Sequence, residues 1–368
     1  MKPNPQEQSL LLDKEKLNRL SDEVLLLLKQ LIETPSLSRE ENFTADLIQQ
    51  FLEAKGVLTT RKLNNVWATN KHFNKEKPTI LLNSHHDTVK PNSGYTLDPF
   101  KAIEKDGKLY GLGSNDAGGP LMGLLASFLY FYELDTAYNF IYAATAEEEI
   151  SGKNGVECIL PELGKIDFAI VGEPTLMQLA IAEKGLLVID CTAHGRSGHA
   201  AREEGENAIY KALKDIQWFQ TYKFPKISET LGPIKMSVTI IHSGTQHNVV
   251  PDKCEFTVDV RITDAYTNDE VLDIIQQHVS CEVRPRSVRL TPSSISKEHP
   301  IVKAGLALGR TTYGSPTTSD QALMNFPSLK LGPGDSARSH TADEFIYINE
   351  LKEGIELYVK MLLRATSL

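Results

Sequence analysis

The strongest constraint on the fold is an alternation of short apolar runs with helical segments between about Val66 and Gly172. Thr79–Asn83 and Asn139–Thr145 contain the aliphatic, β-branched and aromatic residues of buried strands, and a helical pattern follows Gly119. Strands that alternate with helices form parallel sheets covered by helices on both faces. The pattern therefore predicts an α/β fold with a mainly parallel sheet flanked by helices.

A different order of elements begins near Lys184. It predicts two helices and four strands in the order β-α-β-β-α-β, which is typical of a ferredoxin-like two-layer module. These segments are Leu186–Ala193, Glu206–Tyr222, Lys235–Ile241, Cys254–Ile262, Asn268–Ser280 and Glu282–Leu290. After Pro292 the first pattern resumes. Because 368 residues exceed the usual size of one core, we expect a discontinuous domain of residues 1–183 and 294–368, with residues 184–293 inserted into it.

Two helices are predicted before the sheet begins. Leucines recur at helical spacing over residues 10–33, and a second helix runs to Gly56. Ser38 and Glu41 are three residues apart, which is the spacing of a capping box at the start of that second helix.

Five candidate metal ligands follow apolar runs that are predicted strands, and they are spread over more than half of the chain. They are His85, Asp116, Glu149, Glu173 and His340. In an open α/β sheet the carboxyl ends of the strands form one edge, where ligand sites gather. Taken singly, each carboxylate fits a solvated surface position as well as it fits a metal site. Imidazoles and carboxylates brought together at one edge indicate a metal site.

Charge favours two divalent ions over one. Several carboxylates at a buried strand end, including the run Glu147–Glu149, are costly unless cations offset them. Asp116, Glu149 and Glu173 supply three negative charges against four positive, which leaves room for a bound hydroxide. The glycine-rich stretch around Asp116 superficially matches a dinucleotide loop, but a carboxylate at its sixth position would repel a pyrophosphate.

His85 and Asp87 are two residues apart, so on a strand they share one face while His86 points away. A metal-ligating imidazole usually donates its second N–H to a carboxylate, and the carboxylate of Asp87 is placed to accept it. On its own, His-x-Asp is a weak signal and more often marks an exposed strand end.

Composition excludes some functions. A net charge of −9 argues against a nucleic-acid partner, and the most apolar helical segment, about Pro120 to Leu134, is too short to span a membrane. The first residues contain no apolar secretory core, and the four cysteines form no closely spaced pair. We therefore expect a cytoplasmic protein with reduced thiols.

Six motifs together resemble the M20 metallopeptidase family. They are HisHisAspThrVal, GlyLeuGlySerAsnAspAlaGlyGly, AlaGluGluGlu, GlyGluProThr, GlyHisAlaAla and GlyProGly…HisThrAlaAspGlu, and the resemblance spans roughly residues 20–365. It implies a pair of zinc ions, with cobalt as a possible replacement, bridged by Asp116. The resemblance further implies that His85 and Glu173 complete one shell, and that Glu149 and His340 complete the other.

The resemblance also implies roles around the metals. Glu148 matches the general base, Asp87 the residue that orients His85, and His199 of the inserted domain a donor to the oxyanion. The inserted domain is expected to act as a lid and to form a homodimer.

The remaining implied roles concern the substrate. Arg261, Asn248 and the glycine loop at Gly332 and Gly334 are the candidate substrate-binding groups, with Arg338 as a weaker one. For Arg261, pairing with a neighbouring aspartate, Asp259 or Asp264, is an open alternative. For His199, the alternative is a surface histidine in a glycine turn.

The chain departs from the family pattern at two positions. Gly118 stands where a lysine is common, and Arg202 stands where a proline is common. Neither is a candidate ligand, but either could alter the pocket or its closing motion.

The expected reaction is hydrolysis of the amide of an N-acyl amino acid. N-acetylornithine or N-acetylcitrulline is the preferred substrate, within arginine biosynthesis. An N-succinyl-diaminopimelate or a peptide substrate, cleaved by a dipeptidase or carboxypeptidase, is the alternative within the same chemistry. The alternative of another class is an inactive binding protein on the same scaffold.

Overall fold

The computed structural model describes residues 12–366, which form two compact units. The first unit contains the described residues up to Ile181, the segment Ile295–Tyr313 and the chain from Ser319 onward. The second contains Ala182–Ser294 and Gly314–Thr318.

The sheet of the first unit has the strand order β1-β2-β6-β3-β7-β17-β8. Its strands are β1 Thr59–Lys62, β2 Asn65–Thr69, β3 Thr79–His85, β6 Asn139–Thr145, β7 Phe168–Val171, β8 Leu179–Glu183 and β17 Ser328–Lys330. The pairs β6–β3, β3–β7 and β7–β17 are parallel, and antiparallel strands flank them on both sides. The prediction of a mainly parallel sheet is confirmed, and the antiparallel strands make the sheet a mixed one.

The central strands are buried on both faces, as expected for parallel strands. Every residue of β3 and β6 is buried, and both strands run in the same direction, so their carboxyl ends lie side by side. His85 is the last residue of β3 and pairs with Thr145, the last residue of β6. This end of the sheet is where the candidate ligands are delivered.

Helices cover the sheet of the first unit. They are α1 Lys14–Ile32, α2 Asn42–Ala54, α3 Gly119–Phe131, α4 Val156–Ile159, α7 Pro300–Ala307 and α8 Ile348–Thr366. Helix α3 is apolar all round and buried over its whole length, which is typical of a helix inside a core. It packs with α1 and α8 on one face, while α4 packs with Trp67 and Leu81 on the other.

A three-stranded antiparallel sheet lies beside the turn that leads into α3. Its strands are β4 Ile103–Lys105, β5 Lys108–Tyr110 and β18 Phe345–Tyr347. Strand β18 follows the segment of His340, so this sheet joins the chain near His340 to the chain near Asp116.

The predicted capping box at the start of α2 is wrong. The N-cap is Glu41, and it makes no side-chain capping hydrogen bond. The Ser38 hydroxyl instead donates to Asp87 at 2.6 Å, and the Glu41 carboxylate accepts from the backbone of Arg39 and Glu147. Tertiary contacts outcompete the local cap because they satisfy buried groups.

The second unit contains a four-stranded antiparallel sheet of order β11-β13-β9-β14. In chain order its main elements are β9 Gly185–His194, α5 Ala208–Thr221, β11 Lys235–Ser243, β13 Lys253–Ile262, α6 Asn268–His278 and β14 Glu282–Pro285. The unit has its own core, which includes Leu187, Phe219 and Val258. Strand β14 ends at Pro285, five residues before the predicted end at Leu290.

The remaining strands are short. They are β10 Gly198–His199, β12 Val249–Val250, β15 Ser293–Ser294 and β16 Thr312–Ser315. Strands β10 and β12 pair with each other. Between residues 12 and 366, no helix has the length and apolar character needed to cross a membrane.

Candidate metal centre

His85 is the most buried of the candidate ligands, with 1% of its side chain exposed. Its Nδ1 lies 3.0 Å from the backbone oxygen of Asp87, so Nδ1 carries the proton and donates it there. Its Nε2 has no hydrogen-bond partner among the described residues. That nitrogen faces three carboxylates, those of Asp116 at 3.4 Å and of Glu148 and Glu173 at 3.9 Å each.

Asp116 lies between the two candidate histidines. Its Oδ1 is 3.4 Å from Nε2 of His85, and its Oδ2 is 3.6 Å from Nε2 of His340. The residue belongs to the irregular turn Ser114–Gly118 that leads into α3. One carboxylate therefore presents each of its oxygens to a different imidazole.

Glu148 and Glu149 occupy a single 3-10 turn, Glu148–Ile150, just after β6. The Glu149 carboxylate lies 3.0 Å from His340, while Glu148 faces His85. The preceding Glu147 is directed elsewhere, because its carboxylate accepts from the side-chain amide of Asn154 at 3.0 Å. Two of the three consecutive glutamates therefore reach the centre.

Asp87 organises two parts of the centre. Its backbone oxygen holds His85, and its carboxylate lies 3.4 Å from the same ring. The carboxylate also accepts from the backbone N–H groups of Glu148 at 3.0 Å and Glu149 at 3.2 Å. The sequence predicted that the Asp87 carboxylate orients His85, whereas the shorter contact of the ring is with the Asp87 backbone oxygen. In the structure, Asp87 also fixes the turn that carries Glu148 and Glu149.

Glu173 follows β7 and lies in a loop that is held against the glycine loop at Gly332 and Gly334. The backbone N–H of Thr175 donates to Gly332 at 3.1 Å, and that of Leu176 donates to Gly334 at 2.7 Å. A Cβ atom at Gly332 would lie 2.5 Å from the Glu173 carbonyl oxygen. Gly334 has a φ of +89°, a conformation that favours glycine. Close packing therefore accounts for Gly332, and backbone conformation accounts for Gly334. The role of both glycines in binding substrate stays a prediction.

His340 differs from His85 in its surroundings. It lies on a loop, in the left-handed region with φ of 59°, and 55% of its side chain is exposed. Its hydrogen bond with Glu149 raises the pKa of His340 to about 9. This imidazole is held by its loop and by its polar neighbours, with little packing around it.

The electrostatics of the cluster indicate negative charge that the protein does not neutralise alone. Burial raises the pKa of Glu148 well above its ordinary value and that of Glu173 to about 8, and the nearby Glu173 and Glu149 carboxylates add to the shift of Glu148. For His85, burial acts to lower the pKa, but the surrounding carboxylates, Glu148 and Asp116 among them, outweigh it and raise the pKa. Divalent cations would stabilise the ionised carboxylates.

The donor set fits metal ions. In each of two groups the ligand atoms lie within 4.8 Å of one another: His85, Glu148 and Glu173, and His85, Asp116 and Glu149. The buried Nε2 of His85 has no hydrogen-bond partner among the described residues, a costly state that a coordinated cation would relieve. Nitrogen and carboxylate oxygen ligands suit zinc and related divalent ions. The cluster can therefore bind metal.

Glu344 is a site residue that sequence reasoning missed. Its buried carboxylate accepts from the backbone N–H groups of Gly113, Asn115 and Asp116 at 3.1, 2.8 and 2.9 Å. Burial raises its pKa to about 8, and the Asp116 carboxylate adds to that shift. The sequence feature that could have identified Glu344 is an acidic residue four positions after His340 and directly before an apolar run.

Three of the predicted groups, His199, Asn248 and Arg261, lie in the second unit. His199 is exposed on β10, and the backbone oxygen of Asn248 accepts from the N–H of Ala200 at 3.0 Å, so these two segments are neighbours. The guanidinium of Arg261 is paired with Asp259 through bonds of 2.8 and 3.0 Å. This pairing supports the alternative reading of Arg261, and no contact here tests its predicted role with substrate.

Arg338 is committed to structure. It forms a two-bond ion pair with Glu350 at 2.6 and 3.0 Å, and its guanidinium lies over the rings of Phe345 and Tyr347. A second role in holding a substrate anion has no support in these contacts.

The departure at Gly118 has a packing reason. A Cβ atom there would lie 2.4 Å from the carbonyl oxygen of Gly113 and 2.6 Å from a methyl group of Leu28. No larger side chain fits this backbone without movement. Arg202, the other departure, is an exposed residue 3.7 Å from Glu204, and nothing in the structure explains it.

Comparison with known families gives one match over most of the chain. The profile of peptidase family M20/M25/M40 matches residues 81–364, which include all five candidate ligands and Glu148. Among curated proteins, succinyl-diaminopimelate desuccinylase of Orientia tsutsugamushi (strain Boryong) is 24% identical, over 92% of this chain and 95% of that protein. Acetylornithine deacetylase of Proteus mirabilis is 29% identical, over 87% and 91%.

Solved structures share the fold. A tripeptidase from Staphylococcus aureus superposes with a TM-score of 0.75 at 22% identity, covering 94% of this chain and 97% of that one. A dinuclear metal-binding peptidase of the M20 family from Bacillus subtilis superposes with a TM-score of 0.70 at 16% identity, covering 96% and 99%. At these identities the likeness concerns the fold alone.

Proposed function

Because the chain belongs to peptidase family M20/M25/M40 and is therefore a hydrolase, we propose that it cleaves the amide bond of an N-acyl amino acid at a centre of two divalent metal ions. The observation that carries the proposal is the position of Asp116, whose two oxygens face His85 and His340. A carboxylate shared in this way can bridge two ions.

The remaining ligands divide between the two ions. His85 and Glu173 are proposed to hold one ion with Asp116, and Glu149 and His340 to hold the other. We propose zinc in both sites, with cobalt able to replace it. When bound, the two ions lower the pKa of a water molecule and polarise the carbonyl group of the scissile amide.

Glu148 is proposed as the general base. It is the carboxylate of the cluster that the ligand assignment leaves free, and its turn is fixed by the bond from its backbone N–H to Asp87. In this role Glu148 accepts the proton of the attacking water and delivers it to the leaving nitrogen.

Exchanging one glutamate tests this role. Glu148→Gln keeps the volume and is expected to retain two ions per chain while turnover falls by roughly 10²–10⁴-fold, the usual contribution of a general base. Glu147→Gln is the matched control, because the neighbouring carboxylate is turned toward Asn154. Near-normal turnover by Glu148→Gln would remove the residue from its proposed role.

The acyl group is proposed to be acetyl and the amino acid ornithine or citrulline, which would place the protein in arginine biosynthesis in the cytoplasm. The Proteus mirabilis relative supports the acetyl group, whereas the Orientia relative supports a succinyl group on diaminopimelate as the second candidate. Turnover of acetyl-, succinyl- and dipeptide substrates, measured with zinc and with cobalt, separates them. A higher kcat/KM for the succinyl substrate would overturn the choice.

His199 is proposed as the donor that stabilises the oxyanion, acting on the site of the partner chain in a homodimer formed through residues 184–293. Asn248 and Arg261 are proposed to meet the substrate carboxylate. Mixing an inactive Glu148 variant with an inactive His199 variant tests the exchange between chains. Recovered activity in hybrid dimers is expected, and no recovery would assign His199 to the site of its own chain.

A further inference from the structure

The turn that carries Asp116 is fixed by a carboxylate from a distant part of the chain. Glu344 accepts the backbone N–H groups of Gly113, Asn115 and Asp116, and its side chain is buried. Its own backbone oxygen accepts from Gly111 at 3.0 Å. Four hydrogen bonds therefore join Glu344 to four of the six residues from Gly111 to Asp116.

Glu344 is also the last residue of the short segment 340–344, which begins with His340. The imidazole of His340 is largely exposed, so packing does not set its position. Hydrogen bonds of its loop must do so. Asn92 donates to the His340 backbone oxygen at 3.2 Å, and Asp343 accepts from Thr96 and Leu97. Glu344 is the member of this loop that reaches the turn of Asp116.

We propose, on the basis of the two-metal centre above, that Glu344 is a positioning residue that sets the separation of Asp116 and His340 and thereby the affinity for the ion bound between them and Glu149. The residue touches neither the substrate nor an ion. It acts through the backbone of Asp116 on one side and, on the other, through the three residues of chain that separate it from His340.

The effect should be unequal between the two ions. His85 is held by its strand and by its own bond to Asp87, and Glu173 is held by the loop at Gly332. Neither depends on Glu344. The ion held by His340 depends on Glu344 through two of its ligands, whereas the ion held by His85 depends on it through Asp116 alone.

Two variants of Glu344 grade the perturbation. Glu344→Ala removes all three side-chain bonds. Glu344→Gln keeps the volume and one carbonyl oxygen, which can still accept from Asn115 and Asp116, but it places an NH₂ group opposite the N–H of Gly113. Asp343→Ala is the matched control, because Asp343 lies on the same loop and also accepts three hydrogen bonds, yet none comes from the turn of Asp116.

The experiment is a titration of the metal-free full chain with Co²⁺, followed by calorimetry and by the visible absorption of the bound ion. Glu344→Ala is expected to lower the affinity of one of the two bound ions by about 10–100-fold, the usual effect of losing an outer partner of a ligand, and to lower the affinity of the other by less. Glu344→Gln should act in the same direction with a smaller effect. Asp343→Ala should lower the affinities clearly less than Glu344→Ala, because it loosens the loop of His340 but leaves the turn of Asp116 in place.

Different results would overturn the role of Glu344 and the two-metal centre on which that role rests. Unchanged affinities in both Glu344 variants, equal losses at both ions, or the same loss in Asp343→Ala would overturn the role of Glu344. Wild-type protein that binds fewer than two Co²⁺ ions would instead overturn the proposed metal centre, and the inference with it. Circular dichroism checks the fold of each variant; if Glu344→Ala fails to fold, the isosteric Glu344→Gln decides the question.

Discussion

The two halves of the candidate centre place a histidine in opposite ways. His85 ends a fully buried strand, and its ring is fixed by a bond to Asp87. His340 lies on a loop with more than half of its side chain exposed, and polar contacts hold it. One half is thus built by the core of the sheet and the other by a network of hydrogen bonds. The comparison shows that one centre can combine a rigid ligand with a ligand whose position is set at a distance.

The largest expected effect comes from the residue that both halves share. Asp116→Ala should abolish activity and release both ions, because each proposed shell loses a ligand and the two shells lose their bridge. Elemental analysis after gel filtration, together with turnover measured in added zinc, tests this. Two tightly held ions per chain in the variant would show that Asp116 does not bridge.

Removing each histidine in turn should separate stability from metal binding. In the metal-free protein, His85→Ala is expected to lower the free energy of unfolding by roughly 1–3 kcal/mol, because it leaves a buried acceptor of Asp87 unpaired. His340→Ala should lower it by less, because more than half of the His340 side chain is exposed and solvent screens its ion pair with Glu149. Urea unfolding in the presence of a chelator measures both. Equal losses in the two variants would contradict the division between a core-built half and a loop-built half.

The smallest effect is expected at Ser38, which supports the buried half from outside. Ser38→Ala removes the 2.6 Å bond to Asp87, but the carboxylate keeps its bonds to the backbone of Glu148 and Glu149. We expect kcat to fall by no more than about fivefold, equivalent to the ~1 kcal/mol of one hydrogen bond. Ser38→Thr keeps the hydroxyl and serves as the control. A loss as large as that of Glu148→Gln would mean that Asp87 depends on Ser38 for its position.

The sequence predicted the parts of the centre that depend on local pattern. Apolar runs identified β3, β6 and β7, and the rule that parallel strands share a carboxyl edge placed His85, Glu149 and Glu173 together. His85 could be predicted because a residue at the end of a buried strand has few alternative positions.

The parts that the sequence did not predict depend on contacts between distant residues. Ser38 and Glu41 have the spacing of a capping box, yet both bond to partners far along the chain. Glu344 was missed because its partners are backbone N–H groups about 230 positions away, which no side-chain pattern reports. The unusual Gly118 was noticed, but its cause, the approach of Leu28 and of the Gly113 carbonyl, exists only in three dimensions.

Glu148 and Glu149 are neighbours in one short turn, and this has a consequence for any attempt to redesign the protein. The proposed proton carrier and a proposed ligand share a peptide bond and a common anchor in Asp87. A change that shifts Glu149 toward a larger or smaller cation would carry Glu148 with it. Altering the preferred ion and preserving the speed of the reaction are therefore linked tasks, and a successful redesign would have to rebuild the whole turn.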